Sequence, residues 1–397
     1  MKHARGLVLL EMFLVSTLSP ATGGRTARTR GPLTRNMRAD SVFWWHTMEK
    51  TYVGPDSEPT NNDHGEFAWY IAHRLDATGR YLAVVAGDSA AWRLLRRDVA
   101  AALSARDSRL GLRDYAGRSR PVWSTIDPYA EPKGTRSALL CDNAQVAAGL
   151  ARAAIALRRG KPGDRALADS ALAAALAALA AFEADEHDDS RTNGVYYRFP
   201  PDSPIRASEQ GQIVPMNYLS ATGRAYLWLA RATGNETFRA RAEALARFVL
   251  SRARLVDSAL FWKYQEGSAI EDIGHGGITA SFLMMLSPEP RVDGVGVREA
   301  LSGTLRKLFI LKGDSLVIND HVDGSKDGNP RYLGAFGQWA EAVPTACDLY
   351  EDLTRALWSY RGKLQGGGIV GATALLEAEA VCPGAAAILG RVEGNAG

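Results

Sequence analysis

Residues 215–255 read PMNYLSATGRAYLWLARATGNETFRARAEALARFVLSRARL, and this stretch decides the fold. Apolar side chains recur at helical spacing over 219–233 and again over 236–254. Gly234 and Asn235 stand between the two segments, where they indicate a turn. The stretch therefore predicts a helical hairpin, in which two antiparallel helices are joined by a short connection.

Four further helix pairs are predicted along the chain. They cover 65–86 with 89–105, 138–158 with 164–182, 274–286 with 297–311, and a last pair from about 337 to 360. Strand signals are confined to loop segments at 194–199 and 316–319. We therefore expect an all-α fold with short β segments only in loops. The regular repeat of hairpins along the chain is by itself compatible with either a solenoid or a ring.

A short polar motif precedes the first helix of each pair, and aromatic residues precede the motif. The motifs are NNDHGEF (61–67), CDNAQ (141–145), PMNYLS (215–220), IEDIGHGG (270–277) and AFGQW (335–339). The aromatic residues are Phe43, Trp44, Trp45, Tyr52, Trp123, Tyr129, Tyr196, Tyr197, Phe199, Phe261, Trp262, Tyr264 and Tyr332. Every hairpin thus presents the same end to the same side. This favours an (α/α)n toroid, closed or incomplete, with a pocket at that end.

Length and composition bound the class of protein. The 397 residues are 46% hydrophobic, which suits the large core of one toroid domain at 41–362. The formal net charge of +3 comes without blocks of Lys or Arg, so no nucleic-acid partner is expected. Residues 363–397 are an Ala- and Gly-rich tail of uncertain structure.

The N-terminus predicts export. Basic residues at 2–5, an apolar run at 6–18 and small residues at 21–24 resemble a signal peptide over 1–24, although Glu11 interrupts the run. A flexible segment is expected at 25–40. No other segment is expected to span a bilayer. We therefore expect a secreted or periplasmic protein without stable membrane insertion after processing.

The three cysteines do not indicate a metal site. Cys141, Cys347 and Cys382 lack metal-ligand spacing and are expected to be buried free thiols, with a Cys347–Cys382 disulfide as the alternative. The sequence also lacks a P-loop, a Rossmann fingerprint, an HExxH helix and a GxSxG elbow. No cofactor or metal is predicted.

Residues 261–277, FWKYQEGSAIEDIGHGG, carry the densest set of chemically active side chains. In a helix that begins near Ile270, Glu271 or Asp272 lies within one turn of His275 and can orient its imidazole as a general base. The adjacent glycines permit close approach of a ligand or of a neighbouring helix. His275 is therefore predicted to be catalytic. Capping of the helix by the two carboxylates is the alternative.

Asn217 and Tyr218 lie at the mouth of the third inner helix, and Tyr264 lies in an aromatic loop. The amide can hydrogen-bond a sugar carboxyl or hydroxyl group, and a phenol can transfer a proton if nearby cations depress its pKa. All three residues are predicted to be catalytic, with a helix cap and core aromatics as the alternatives. The candidate cations are Arg198, Arg206 and Lys263.

Further residues are predicted to contact substrate because they lie at helix mouths or in polar and aromatic loops. Rings in such places can stack on pyranose faces, while amides and charged groups bind hydroxyl or carboxyl groups. These residues are Asp142, Asn143, Arg198, Trp262, Lys263, Glu271, Asp272, His321 and Arg331. Capping is the alternative for Asp142 and Asn143, and a polar turn is the alternative for His321.

The segment 215–286, with PMNYLS, FWKY and EDIGHGG, resembles the α/α-toroid region of bacterial polysaccharide lyases and related glucuronyl epimerases. The resemblance extends over about 65–360. It implies an anionic, uronate-containing polysaccharide or oligosaccharide and proton abstraction next to the sugar carboxylate. It assigns Asn217 to carboxylate neutralisation, and Tyr218 or Tyr264 with His275 to proton transfer. The paired Asn-His motif of several lyase groups is absent from this sequence.

The predicted function is therefore cleavage of a uronate-containing polysaccharide by β-elimination. Removal of the proton requires a base and donors that stabilise the developing charge. One alternative is a glycoside hydrolase with paired carboxylates, such as Asp142 with Glu271 or Asp272. A uronate epimerase and a non-catalytic carbohydrate-binding toroid are the others.

Overall fold

Helices dominate the part of the chain that the structure describes. A computed structural model describes residues 59–206, 208–312, 315–325, 336–359, 366–379 and 381–382, all within the unit Thr34–Gly397. The helices are α1 (Ala72–Val84), α2 (Ser89–Ser104), α3 (Asp107–Leu110), α4 (Leu140–Leu157), α5 (Asp164–Ala180), α6 (Met216–Thr233), α7 (Glu236–Ser251), α8 (Ile273–Met284), α9 (Val297–Leu308), α10 (Tyr350–Ser359) and α11 (Gly366–Glu379). A π-helical turn, Phe67–Ile71, leads into α1, and 3₁₀-helices cover Glu183–Asp185, Phe336–Thr345 and Cys347–Leu349.

Six segments form a closed inner ring. α1 packs on α4, α4 on α6, α6 on α8, α8 on the 3₁₀-helix Phe336–Thr345, that helix on α11, and α11 on α1. Outer helices pack behind them, with α2 behind α1, α5 behind α4 and α7 behind α6. This order of contacts confirms the predicted all-α toroid.

Burial distinguishes the inner helices from the outer ones. In α6 every residue from Met216 to Ala230 is buried, whereas α7 buries a single stripe of apolar residues at helical spacing. Small residues allow the inner helices to lie close together. A Cβ atom on Gly149 of α4 would lie 2.8 Å from the carbonyl oxygen of Ala72, so this contact between α4 and α1 requires glycine.

The described strands are short and form two-stranded antiparallel ribbons in the connections between helices. They are β1 (Thr125–Ile126), β2 (Arg136–Ser137), β3 (Glu186–Asp189), β4 (Gly194–Tyr197), β5 (Arg254–Val256), β6 (Ala259–Phe261), β7 (Arg291–Val292), β8 (Val295–Gly296), β9 (Phe309–Lys312) and β10 (Ser315–Ile318). The strand signals predicted at 194–199 and 316–319 correspond to β4 and β10. β segments are therefore confined to loops, as expected.

The last predicted helix pair, 337–360, differs from expectation. Phe336–Thr345 is a 3₁₀-helix, and α10 begins only at Tyr350. Pro344 lies inside the 3₁₀-helix and has no backbone N–H, which disfavours a continuous α-helix here. The sixth inner segment, α11, lies in the range 363–397 that was expected to be a tail of uncertain structure.

The cysteine pairing also differs from expectation. Cys347 and Cys382 form a disulfide, so the expectation of free thiols at these two positions was wrong. The bond joins the segment before α10 to the residues that follow α11. Cys141 is buried and free, as expected. Neither sequence spacing nor the odd cysteine count could indicate that the two distant residues meet.

One described helical passage is long and apolar enough to cross a membrane by length and composition. It is Asp164–Asp185, which contains α5, so the expectation of no such segment after the N-terminus was wrong on this criterion. In the toroid, α5 is an outer helix whose buried alanine and leucine side chains pack on α4. The predicted signal peptide, the segment 25–40, the aromatic residues at 43–52, Arg331 and Tyr332 lie outside the described residues.

Candidate functional site

A cavity opens at the N-terminal ends of the inner helices, where the polar motifs lie. Its volume is about 430 Å³, within the usual range of small-molecule sites. Its lining residues come from the segment before α1, the β1 region, the loop after β6, and the starts of α4, α6 and α8. They are His64, Gly65, Trp69, Thr125, Ile126, Pro128, Tyr129, Leu139, Asp142, Asn217, Tyr218, Tyr264 and His275. The predicted residues Asp142, Asn217, Tyr218, Tyr264 and His275 are thus brought to one cavity.

Asp142 is the only carboxylate among the described lining residues. It lies in the first turn of α4 and is buried. Burial, and then the nearby charge of Asp127, raises the pKa of Asp142 to about 7, although hydrogen bonds with Asn62 and Trp69 oppose this rise. Near neutral pH the Asp142 carboxyl can therefore carry a proton and donate it.

His275 is held by Asp272 at the start of α8. The ring atom Nδ1 lies 2.6 Å from Oδ2 of Asp272, and because a carboxylate only accepts, Nδ1 donates this hydrogen bond. Oδ1 of Asp272 accepts from the backbone N–H groups of Gly274 and His275 and caps the helix. Asp272 is therefore both the helix cap and the partner of the imidazole. Because Nδ1 is bound to Asp272, Nε2 of His275 is the ring atom that can exchange a proton with a ligand.

The carboxyl group of Asp272 is kept ionised. Burial alone would raise its pKa, but the hydrogen bond and charge of His275, with the capped N–H groups, hold the pKa below its ordinary value. The charge of Asp272 can then stabilise a protonated imidazole. An imidazole whose Nδ1 donates to an ionised carboxylate has the orientation expected of a histidine general base.

The two tyrosines have the opposite pKa shift from the one expected. Burial raises the pKa of Tyr218 and of Tyr264 well above the ordinary value, and nearby acidic groups add to the rise. No Lys or Arg is among the described lining residues of the cavity, although Arg206 lies over the ring of the lining residue Tyr129, so the condition of a pKa lowered by cations is not met. The phenols are therefore suited to donating hydrogen bonds as neutral groups.

Asn217 offers an unpaired acceptor to the cavity. Its side chain is 1% exposed, and its Nδ2 lies 3.7 Å from Sγ of Cys141. Its Oδ1 accepts no hydrogen bond from the described residues. Buried polar atoms normally have partners, and Asn217 lines the cavity, so a ligand hydroxyl that reaches this buried oxygen would supply the partner it lacks.

Two predicted substrate contacts have internal structural partners instead. Glu271 is fully buried, and its Oε2 accepts from the indole N–H of Trp262 and, at 3.4 Å, from Thr279. Burial raises the pKa of Glu271 well above its ordinary value, which favours its neutral form, and Glu271 is not among the lining residues of the cavity. Asn143 is buried and accepts from the backbone N–H of Trp123 at 2.9 Å. Of the two candidate carboxylates, Asp272 is the one that orients His275.

The other predicted contacts lie elsewhere among the described residues. Trp262 and Lys263 line a separate cavity between α6, α7 and β6. Arg198 donates to the carbonyl of Gly211 and lies over the ring of Tyr196. His321 pairs with the backbone of Asp272, beside the start of α8 but outside the cavity lining. Their predicted contacts with substrate remain predictions.

Trp69 is the main lining residue that the sequence did not single out. It lies in the π-helical turn before α1, and its ring meets that of His275 edge-on at 6.0 Å. Gly65 adopts φ +79°, and a Cβ there would lie 2.9 Å from Cδ1 of Trp69. Trp69 falls in the helical period of the first inner segment, where a tryptophan is more often a core residue. The irregular turn could not be predicted from that period.

A buried ion network lies beneath the cavity. Asp76 of α1 pairs with Arg80 of the same helix and with Arg224 of α6, and Arg80 lies 2.8 Å from Glu341 of the 3₁₀-helix Phe336–Thr345. Burial would raise the pKa of Asp76, but the guanidinium groups of Arg80, Arg224 and Arg152 hold it well below its ordinary value. The network joins three inner segments, so the cavity rests on a fixed floor.

Solved structures share this architecture. No protein-family model and no curated protein sequence matches the chain. A crystal structure of a D-mannose isomerase aligns with a TM-score of 0.52 and 13% identity, over 88% of this chain and 99% of that chain. The GH76A α-1,6-mannanase from Salegentibacter sp. HEL1_6 aligns with a TM-score of 0.50 and 11% identity, over 87% and 99%. The chain has the α/α-toroid fold of these two carbohydrate-active enzymes.

Proposed function

We propose that the protein is a carbohydrate-active enzyme that transfers a proton between carbons of a neutral sugar, as in the isomerisation of an aldose to a ketose. The observation that carries this proposal is the pairing, on one cavity, of a protonatable carboxyl at Asp142 with the His275–Asp272 dyad. The toroid fold shared with a D-mannose isomerase is compatible with it.

The reaction uses the two groups in turn. Nε2 of His275 removes the proton from C2 of the open-chain aldose, and the C–H electron pair forms a C1=C2 bond. The oxygen on C1 takes the proton of Asp142, which gives an enediol. Asp142 then removes the proton of the C2 hydroxyl, the C2=O bond forms, and His275 returns its proton to C1. Both side chains end in their starting protonation states.

Three lining residues can hold the sugar during these steps. Asn217 supplies an acceptor, and Tyr218 and Tyr264 supply hydroxyl donors. Donors near the developing enediolate lower its energy. The rings of Trp69 and Tyr129 provide apolar walls for a pyranose or an extended sugar chain.

The charge of the lining favours a neutral sugar over a uronate. No Lys or Arg of the described residues lines the cavity to neutralise a sugar carboxylate, so β-elimination of a uronan loses support. A paired-carboxylate hydrolase would need a second carboxylate beside Asp142, which is the only one among the described lining residues. Asp127, which lies near Asp142, is 2% exposed, hydrogen-bonds Ser137 and the backbone of Tyr129, and does not line the cavity.

The test is incubation of the purified protein with neutral aldoses and ketoses in D₂O, followed by NMR. Isomer formation, with solvent deuterium at the carbon that gains a hydrogen, supports the proposal. Release of reducing ends from α-1,6-mannan without deuterium incorporation would indicate hydrolysis instead. Formation of an ultraviolet-absorbing unsaturated product from uronans would indicate elimination. Either result, with no isomer across the sugar panel, overturns the proposal.

We also propose that the protein acts outside the cytoplasm. The N-terminal pattern supports export, and the Cys347–Cys382 disulfide suits an oxidising compartment. The proposal is tested by fractionating cells and sequencing the N-terminus of the mature protein. Recovery in the cytosolic fraction with residues 1–24 retained would contradict it.

A further inference from the structure

A second cavity lies at the opposite ends of the inner helices. Its volume is about 690 Å³, and its walls include the end of α1, the start of α2 and the end of α4. Along α4, Asp142 lines the first cavity and Arg152 lines the second. At 1.5 Å per residue these positions lie about 15 Å apart along the helix axis, so the two cavities are separate.

The second cavity is lined by cations. They are Arg93, Arg96, Arg152, Arg159 and Lys161, and no Asp or Glu of the described residues is among the lining. Carboxylates behind the wall compensate two of them, because Arg96 pairs with Asp164 at 2.7 Å and Arg152 pairs with Glu377 at 3.1 Å. Among the described residues, Arg93 and Arg159 thus remain without a carboxylate partner on a concave wall, and Lys161, whose charge acts on the nearby Asp164, adds a third cation.

Helix dipoles do not account for this arrangement. Cations at the end of α4, such as Arg159, suit the negative pole of that helix. Arg93, however, lies near the start of α2, where the helix pole is positive and an acidic side chain would be favoured. Arg93 is thus a cation that the dipole of α2 does not attract.

The floor of the cavity contains an unpaired donor. Trp228 is 6% exposed and lines the cavity, and its indole Nε1 has no acceptor among the described residues. The guanidinium of Arg152 lies 4.2 Å from the centre of the Trp228 ring. A buried N–H without an acceptor, beside a guanidinium, fits an anionic ligand that accepts from both. Trp92 adds a partly exposed aromatic wall.

We propose that this cavity is a binding site for a small phosphate-bearing anion, distinct from the sugar cavity. Arg159 and Lys161 bind the phosphate oxygens at the entrance, and Arg152 with the Trp228 N–H binds at the floor. Guanidinium groups match the geometry of phosphate oxygens, and lysine adds a mobile point charge. The volume suits a small molecule.

The experiment is calorimetric titration of the full chain with inorganic pyrophosphate at physiological ionic strength. Saturable one-site binding is expected, and the variant Arg159→Gln/Lys161→Gln should bind about tenfold or more weakly, since it removes two charge-assisted contacts. Trp228→Phe keeps the ring and removes the N–H, so it should also weaken binding, with an unchanged circular dichroism spectrum.

Arg158→Gln is the matched control. Arg158 is adjacent in sequence but does not line the cavity, since it donates to the carbonyl of Ala232 and pairs with Asp169. Its loss should change affinity less than about twofold, the scale of a screened distant charge. Equal weakening by the control and the double variant would overturn the proposal. So would absence of pyrophosphate binding, or binding of trigalacturonate in its place.

The phosphate site does not depend on the proposed sugar reaction. Pyrophosphate affinity is measured without sugar, and Arg159 and Lys161 lie outside the cavity that holds His275. The double variant should therefore retain whatever basal sugar turnover the wild type shows. Absence of pyrophosphate binding would contradict only the phosphate site, and absence of sugar isomerisation would contradict only the proposed function.

Discussion

Asp272 binds the backbone and the side chain of His275 at once. Its Oδ1 accepts from the His275 N–H at 3.1 Å, and its Oδ2 accepts from the ring Nδ1 at 2.6 Å. One carboxylate therefore caps α8 and sets the orientation of the imidazole. Substitution can therefore test two roles of Asp272, the stability of the helix start and the orientation of the ring.

Replacement of His275 by Ala should lower sugar turnover by about 10²-fold or more, the scale of a lost general base. Asp272→Asn should lower turnover at least about tenfold, because an amide retains the cap but does not stabilise the imidazolium. Turnover is measured by NMR and folding by thermal melting. His187→Ala, which changes a histidine that stacks on Tyr196 far from the cavity, is the control. Wild-type turnover in His275→Ala would return His275 to a structural role.

Titration of Asp142 should determine how kcat falls at alkaline pH. Its pKa of about 7 means that the acid form is present below neutral pH and is lost as pH rises through that value. We expect kcat to fall above about pH 7, and Asp142→Asn to lower kcat at all pH values and remove this limb. A pH–rate profile of both proteins checks this. An unchanged alkaline limb in Asp142→Asn would exclude Asp142 as the titrating group.

The same carboxyl should make folding stability depend on pH. The folded pKa lies above the unfolded value of 3.8, so the stability from the protonated form is complete below that value and lost as pH rises through about 7. Between pH 5 and pH 8 the wild type should lose about 3 kcal/mol that Asp142→Asn does not lose, since about two pKa units of the shift fall in this window and one unit corresponds to about 1.4 kcal/mol. Denaturant unfolding at pH 5 and 8 measures the difference. Identical pH dependence in both proteins would contradict the raised pKa.

Gly276 should be intolerant of a side chain for packing reasons. A Cβ there would lie 2.5 Å from Val322 and 3.3 Å from Trp339, so Gly276→Ala should destabilise the fold by about 1–3 kcal/mol through overpacking. Gly163→Ala is the control, because its Cβ would meet nothing within 4 Å and its φ is −67°. Thermal unfolding of both variants distinguishes them. Equal stability of the two variants would contradict the packing argument.

The Cys347–Cys382 disulfide should stabilise the fold at the place where α11 closes the inner ring of helices. It spans 35 residues, and its removal by Cys347→Ala/Cys382→Ala should lower the free energy of unfolding by about 2–4 kcal/mol. Reductant should destabilise the wild type and leave the double variant unchanged. If reductant has no effect on the wild type, the bond contributes nothing to stability.

Some features of the fold and site were open to prediction because they depend on local sequence. The starts and ends of α2, α5 and α7 follow from helical periodicity and turn residues, and the predicted bounds agree within a few residues. The glycines beside His275 indicated close approach of a ligand or a neighbour. At Gly276 and Gly277 it is protein rather than ligand that approaches closely, because both glycines pack against residues among Val322, Gln338 and Trp339.

The site could be predicted only in part. Repetition of polar motifs at helix mouths placed Asp142, Asn217 and His275 on one side, and all three line the cavity. The direction of the tyrosine pKa shift could not be predicted, because it depends on burial and on which cations reach the cavity. Of the predicted cations, Arg198 and Lys263 line other cavities, and Arg206 lies over the ring of the lining residue Tyr129 without lining the cavity itself.

By itself the sequence determined that this protein consists of helical hairpins with polar motifs at one end, because helical periodicity, turns and motif spacing are encoded locally. Only the tertiary structure decided that Asp272 rather than Glu271 orients His275, that Cys347 meets Cys382, and that α11 closes the ring on α1. It also decided that the cations gather in a second cavity at the far helix ends. These outcomes depend on burial and on contacts between residues distant in the chain, which periodicity does not specify.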